Sequence, residues 1–370
     1  MIEVITEYKD FLALGDSWNH LLEKSSSDSV FLTFEWMQAW WKAFGKDKQL
    51  LVLLVKDSQG NLSGIAPLML SREKILGLTL RKLSFIYNNN SSSADFLISA
   101  ERENTLQAII AYLKDKRNHW DIMELQNIPL ESPNYQILID HLRKEALVFG
   151  IKDGLRSPFI PIKPGWQGYF STRPKKFRKT ARNILNRISK FSHSIEKFTD
   201  YRSDNGILDK VFQISGKSWK AGQRGATTNQ EFFQELNRIT REKKWRYIWL
   251  LSLDGAPVAY EYHLRYKDKV YALKADFNQE YKDCSPGVAL ELQIMKEYFS
   301  DGLKEYDLCG HDDAYKKNWT DQAREHAVFC IYQNNLSGRL LYLLNYQIFY
   351  KLKKFLKKYE FLRKIRKYYQ

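Results

Sequence analysis

The chain has 370 residues, 44% hydrophobic and 14% aromatic, enough for two ordinary domains with real cores and too apolar for a disordered polypeptide. Lysine and arginine number 58 against 43 acidic residues, a net charge of +15 that leaves room for a nucleic-acid partner. Three cysteines (Cys284, Cys309, Cys330) are odd in number and lack metal-ligand spacing, so neither a disulfide framework nor a metal site is expected. No apolar run approaches the roughly 20 residues that cross a bilayer, and no basic-apolar-small segment opens the chain. A cytoplasmic location is the expectation.

In chain order, the pattern predicts helices over 8–24 and 34–44, then strands over 50–56, 62–70 and 80–87. Trp36, Trp40 and Trp41 fall on the second helix and are expected in the core. The polar run 88–93 either closes over a substrate, with Asp95 holding one of its donors, or is a plain connection. A short strand (95–98), a helix (105–116), a strand (120–126) and a helix (134–145) follow. Pro158, Pro161, Pro164, Gly165 and Gly168 punctuate 150–168, which reads as a domain boundary.

The second half repeats this order, with helices predicted over 175–191, 204–219 and 230–242 ahead of strands. Between Arg173 and Lys190, eight Lys/Arg surround an apolar face of Phe177, Ala181, Ile184, Leu185 and Ile188, an amphipathic helix with a cationic outer side. The hairpin 53–67 has the plan of the one at 250–255. The expected fold is therefore mixed α+β (α/β). Two similar units (1–163 and 164–335), each a mixed sheet flanked by helices, precede a basic tail (336–370).

The densest chemistry lies between Tyr247 and Trp319. Turns at Asp254-Gly255 and Lys267-Asp268 make two hairpins. Pairing Arg265 with Val270 sets Glu261 opposite Lys274 and Ala259 opposite Asp276, so Glu261, His263, Lys274 and Asp276 are expected on one face. Ser285 reads as an N-cap, Pro286 as the first helical residue, and Gly287 as a point where a ligand approaches the backbone. The free N–H groups at that helix start suit an anion. Cys284 beside this loop has no assignable base partner and is expected to be a bystander.

From Gly338 to Gln370 there are ten Lys/Arg and one Glu, with Leu341, Leu344, Ile348, Leu352, Phe355, Tyr359 and Leu362 at three- and four-residue steps. Such a basic amphipathic helix lies on an anionic membrane surface or an acidic partner, or packs across the body with a wet basic side. Aromatics interleaved with lysine also permit nucleic acid, without a recognition motif to support it.

The ordered set Asp254-Gly255-Ala256-Pro257-Val258-Ala259, Asp276, Ser285-Pro286-Gly287, Tyr306-Asp307-Leu308, Gly310 and Tyr315-Lys316-Lys317-Asn318-Trp319 resembles the CelD/BioF2-like acyltransferases of the GNAT superfamily, relatives of the FemAB peptidyltransferases. Phe34-Glu35-Trp36, Trp40, Gly64-Ile65-Ala66-Pro67-Leu68 and Asp95 extend the likeness over roughly 30–332. The resemblance implies two tandem GNAT-like units and N-acyl transfer from acyl-CoA, without a metal, to an amine such as an amino sugar in cell-envelope or exopolysaccharide biosynthesis. The alternatives are aminoacyl transfer from a charged tRNA, or an inactive envelope scaffold. Mapped onto this chain, it puts Phe277 and Leu308 at a splay between strands, where a pantetheine arm would lie, with Ser285, Gly287 and Val288 facing the pyrophosphate. The superfamily's usual glycine-rich phosphate loop is absent; Ser-Pro-Gly stands in its place. An attacking amine must lose a proton, for which Asp276, Glu261 and His263 are the candidates. The FemAB likeness makes Lys316 a candidate for oxyanion stabilisation, Tyr315 a proton donor, and Arg178 and Arg182 candidates for an acidic or phosphorylated substrate.

Overall fold

The protein is described by a computed structural model covering residues 1–75, 77–163, 165–199, 206–221, 226–240 and 243–356. Its strands are β1 (Ile2–Ile5), β2 (Gln49–Lys56), β3 (Leu62–Ile75), β4 (Leu78–Phe85), β5 (Leu97–Ile98), β6 (Ile122–Pro129), β7 (Val148–Pro161), β8 (His193–Phe198), β9 (Arg246–Leu253), β10 (Ala256–Tyr266), β11 (Lys269–Phe277), β12 (Glu305–Asp307) and β13 (Ala323–Tyr332). They join one mixed sheet in the order β1-β2-β3-β4-β6-β13-β7-β12-β11-β10-β9-β8, with β5 on β3.

That order is two similar halves with their last strands exchanged. In the first half β4 runs parallel to β6, and in the second β11 runs parallel to β12. Yet β6 takes β13 as its antiparallel neighbour, while β12 takes β7. The two exchanged strands pair with each other from Val148–Tyr332 to Pro158–Ala323. The sheet is continuous past residue 163, where the sequence reading divides the chain.

The segment 150–158 is strand rather than part of the boundary expected over 150–168, and the reason is close packing. A Cβ on Gly150 would meet the Tyr346 ring at 2.5 Å, and one on Gly154 would meet Asn127 Oδ1 and the His326 carbonyl at 2.8 Å. These glycines admit neighbours; they do not mark a turn. Strands β1, β8 and β13 were also not foreseen.

The helices pack on both faces of the sheet. Gly15–Lys24 and Phe34–Phe44 from the first half, with Ile207–Gly216 and Ala226–Thr240 from the second, share one core that bridges the halves. Trp36 and Trp40 lie in it, each 1% exposed, as expected of core aromatics. Trp36 packs edge-on against Phe232, and its indole donates to Ser91 Oγ at 3.0 Å. On the opposite face, Arg102–Asp115 and Pro133–Lys144 cover the first half, and Lys175–Ile188 and Pro286–Tyr298 cover the second. The first predicted helix is two pieces, Tyr8–Leu12 and Gly15–Lys24.

The tail docks on the exchanged strands. Tyr342, Tyr346 and Tyr350 stack along a π-helical turn (Tyr342–Tyr350), and Tyr346 Oη donates to the Ile151 carbonyl at 2.8 Å. The expected tail positions Tyr359 and Leu362, like Pro164 at the boundary, lie outside the described residues.

Replacing a strand glycine by alanine ordinarily stabilises by up to about 1 kcal/mol. Gly150→Ala is expected instead to cost about 1–3 kcal/mol in urea unfolding, because the Tyr346 ring must move. Adding Tyr346→Ala should return part of that loss.

Candidate active site

The second hairpin does not hold its register. An extra residue, Leu273, interrupts β11, so Tyr262 pairs with Lys274, Glu261 with Ala275 and Tyr260 with Asp276. A bulge of one residue reverses every later side chain relative to its partner. The expected single charged face is therefore wrong. Glu261 and His263 point toward the helix Pro286–Tyr298, whereas Lys274 and Asp276 share the opposite side with Tyr260 and Tyr262.

On the helix side, Glu261 and His263 belong to a closed network. Trp249 Nε1 donates to Tyr298 Oη (3.1 Å), because an indole can only donate. Tyr298 is then free to donate to His263 Nδ1 (2.9 Å), and His263 Nε2 to Glu261 Oε2 (2.8 Å). Tyr306 Oη donates to the same oxygen at 3.2 Å. Burial pushes the Glu261 carboxyl well up and the His263 imidazole down, so both are held neutral. Glu291, on the helix above, is raised in the same way by burial and then by Glu261. The sequence carried no signal for Glu291.

On the other side, Asp276 is an ion-pair partner. Lys220 Nζ lies 3.1 Å from Oδ1, and Ser215 Oγ and Tyr260 Oη donate to Oδ2 at 3.1 and 3.3 Å. Lys274 lies over the Phe233 ring, and burial lowers its pKa.

The resemblance implies a splay between β11 and β12. Strands β11 and β12 pair only through Lys269–Glu305, Val270–Tyr306 and Tyr271–Asp307, then diverge. Phe277 and Leu308 lie on the two diverging segments, the latter 6% exposed. Ser285 caps the next helix differently from the expectation. It adopts a left-handed conformation (φ 52°, ψ 54°), and its side chain makes no cap bond. Among the described residues no group accepts from the Gly287 or Val288 N–H, and both residues are half-buried rather than covered. A Cβ at Gly287 would meet only Phe277 Cδ1, at 3.7 Å.

Lys316 is 4% exposed, and its ammonium donates to the carbonyls of Cys309 (2.6 Å) and His311 (2.8 Å), with Asp313 at 3.8 Å. It ties down the loop that continues β12, and burial lowers its pKa. Tyr315 beside it is 56% exposed. Of the two arginines, Arg178 donates to the Arg173 carbonyl at its own helix start, and Arg182 lies in a groove between the helices Lys175–Ile188 and Pro286–Tyr298. It is Arg187 that reaches the donor-side loop, at the Asp283 carbonyl.

The halves meet over a cleft of about 820 Å³, its open mouth included. Tyr271 and Asp307, the last pair before the strands diverge, line it. Asp28, Asp95, Glu131 and Asp307 face Lys269 and Arg324 there, so the lining is net acidic in a basic protein. Arg324 is already shared among Glu131, Glu305 and Asp307 at 2.7–3.2 Å. The polar run 88–93 is built into this junction: Ser92 Oγ accepts from Gly310 N at 3.0 Å. Asp95 holds no donor of that run. It accepts from Ser132 Oγ (2.5 Å), Asn134 Nδ2 (2.9 Å) and Phe96 N (2.7 Å).

One cleft residue escaped the sequence reading. His326 is 5% exposed, its Nδ1 bonded to the Leu155 carbonyl at 2.8 Å and its Nε2 without a partner. Carbonyl bonding puts the proton on Nδ1, burial keeps the ring neutral, and Nε2 is left as a bare acceptor. Among the described residues no cluster of His, Cys, Asp and Glu suits a metal ion.

A family model described as an acetyltransferase (GNAT) domain matches residues 175–317. The second half of the chain is thus similar to a GNAT acetyltransferase domain. Solved structures resemble nearly its whole length. FemX is 14% identical, with 92% of this chain and 99% of that one covered and a TM-score of 0.59. L-PGS from Bacillus licheniformis is 12% identical (89% and 95% covered, TM-score 0.55). A tandem GNAT protein from the clavulanic acid biosynthesis pathway is 9% identical (89% and 98%, TM-score 0.50). No curated protein sequence matches it. These likenesses show a tandem GNAT-like fold, without singling out the CelD/BioF2-like group.

Asp95 yields a pH test. Burial raises its pKa from the ordinary 3.8 to about 6, partly offset by its three donors. Between those values the unfolded chain has lost this proton and the folded chain keeps it, so this contribution to stability falls as pH rises through the window. Asp95→Asn is expected to remove that fall from urea-unfolding free energies measured between pH 4 and 7; an unchanged slope would assign it elsewhere.

Proposed function

We propose that the protein is an N-acyltransferase that moves an acyl group from acyl-CoA to an amine. The observation that carries this reading is the pair of uncommitted amides at Gly287 and Val288, set at a helix start beside two diverging strands. An anionic donor head suits those amides, and an acyl arm laid along β11 from Phe277 would run toward Tyr271 and Asp307, the last pair of the β11–β12 ladder. The acidic cleft beyond that pair suits a cationic, hydroxyl-rich acceptor, and an amino sugar of cell-envelope or exopolysaccharide assembly has that chemistry.

The transfer is then nucleophilic. The neutral amine attacks the thioester carbon, the C–N bond forms, the C–S bond breaks, and coenzyme A leaves as a thiolate that takes up a proton. In this reading His326, a residue of the cleft wall whose Nε2 is neutral, unpartnered and sealed from solvent, accepts the proton of the amine through a shift of that wall. Asp276 is engaged by Lys220 at the far end of β11, and both ring nitrogens of His263 and Oε2 of Glu261 are bonded to each other or to tyrosines. Lys316 steadies the developing oxyanion through the β12 loop, with Tyr315 protonating the leaving thiolate. Arg178 and Arg182 remain candidates for an acidic portion of the acceptor.

Aminoacyl transfer from a charged tRNA is the second reading, favoured by the net charge of +15 and the FemX-like fold.

Gly287→Asp separates donor binding from folding. The side chain has room, and a carboxylate at a helix start is mildly stabilising. The same charge repels a pyrophosphate, so acetyl-CoA affinity by calorimetry is expected to drop on the order of tenfold or more while the melting temperature holds. Undiminished binding in this variant, or no acetyl-CoA binding by the parent protein, would sink the acyl-CoA reading.

A further inference from the structure

The tail helix docks by its tyrosines and turns its apolar side outward. Tyr346 and Tyr350 bond β7 at Ile151 and Asp153, and Lys354 pairs with Asp153 at 2.6 Å. Helical structure continues through 351–356. Away from that docked face, Ile348, Phe349, Leu352, Phe355 and Leu356 are 43%, 50%, 51%, 64% and 53% exposed. Their spacing of one, three and four residues gathers them into one stripe. Ile348, Leu352 and Phe355 belong to the face the sequence pattern suggests, whereas Leu341 of that face is buried against the sheet. Five large apolar side chains side by side in water mark a surface with an occupant.

Charge selects that occupant. Lys351 and Lys353 flank the stripe and are exposed. The sequence beyond it adds Lys357, Lys358, Arg363, Lys364, Arg366 and Lys367 against a single Glu360. A second copy of this chain would bring two like-charged tails together. An anionic surface with an apolar interior answers both halves of the pattern. We propose that the stripe Ile348, Phe349, Leu352, Phe355 and Leu356 enters the interfacial zone of an anionic phospholipid bilayer, with the flanking lysines at the headgroups. Such a helix lies in the plane of the interface and does not cross it. No helix among the described residues is long and apolar enough to cross a membrane.

The proposal stands apart from the transferase reading, and so does its test. The full chain is sedimented with vesicles of equimolar phosphatidylglycerol and phosphatidylcholine, and with vesicles of phosphatidylcholine alone. Binding is expected to the mixed vesicles, weakened by salt, and on the order of tenfold or more weaker to the neutral ones. Leu352→Glu with Phe355→Glu should lower binding to the mixed vesicles by a similar factor, at an unchanged melting temperature because both side chains are already in water. Equal binding by that double variant, equal binding to both vesicles, or binding to neither would overturn the proposal. So would a salt-insensitive dimer in light scattering that the double variant dissolves, since the stripe would then belong to a second copy.

Discussion

The antiparallel pair of β7 and β13 holds the rest of the molecule in place. Each strand completes the sheet begun by the other half of the chain, so neither half has a closed edge of its own. An unpaired edge of this kind exposes a row of amide and carbonyl groups, and exchange satisfies both rows at once. The consequence reaches the cleft. Asp95 and Ser132 come from the first half, Lys269 and Asp307 from the second, and His326 from an exchanged strand. A rigid shared sheet fixes their spacing without any hinge between the halves.

Two kinds of polar group follow from that framework, and they differ in what they have left to give. The Glu261–His263–Tyr298–Tyr306 network bonds both ring nitrogens of His263 and Oε2 of Glu261 from within, and burial holds its acid and imidazole neutral. Such a cluster positions a strand against a helix. The Gly287 and Val288 amides and the His326 Nε2 are the opposite case, with capacity unmet by the protein. A buried or half-buried polar group without a partner is costly unless a ligand completes it. Such uncommitted groups therefore say more about chemistry than the denser charged network does.

The tail shows the same division between face and function. Its tyrosines make the hydrogen bonds and stacking that bind it to β7, so the leucines and phenylalanines that would ordinarily seek a core are turned away from one. Gly150 permits this arrangement by leaving room for a ring on the strand.

Local pattern alone determined the helix Phe34–Phe44, the hairpins around Asp57–Gly60 and Asp254–Gly255, and the helix opening at Pro286, because periodicity, turn residues and a proline at the first helical position act within a few residues. The repeated order of the two halves was legible for the same reason. Tertiary structure decided what sequence distance hides. The exchange of β7 and β13 depends on partners from opposite halves of the chain. The extra Leu273 changes the strand register by one residue and moves Asp276 to the face opposite Glu261, a shift that no alternation pattern announces. His326 became a candidate only because Leu155 on a neighbouring strand occupies one ring nitrogen and nothing occupies the other. A residue's type is local, but which of its atoms are left over is settled by everything packed around it.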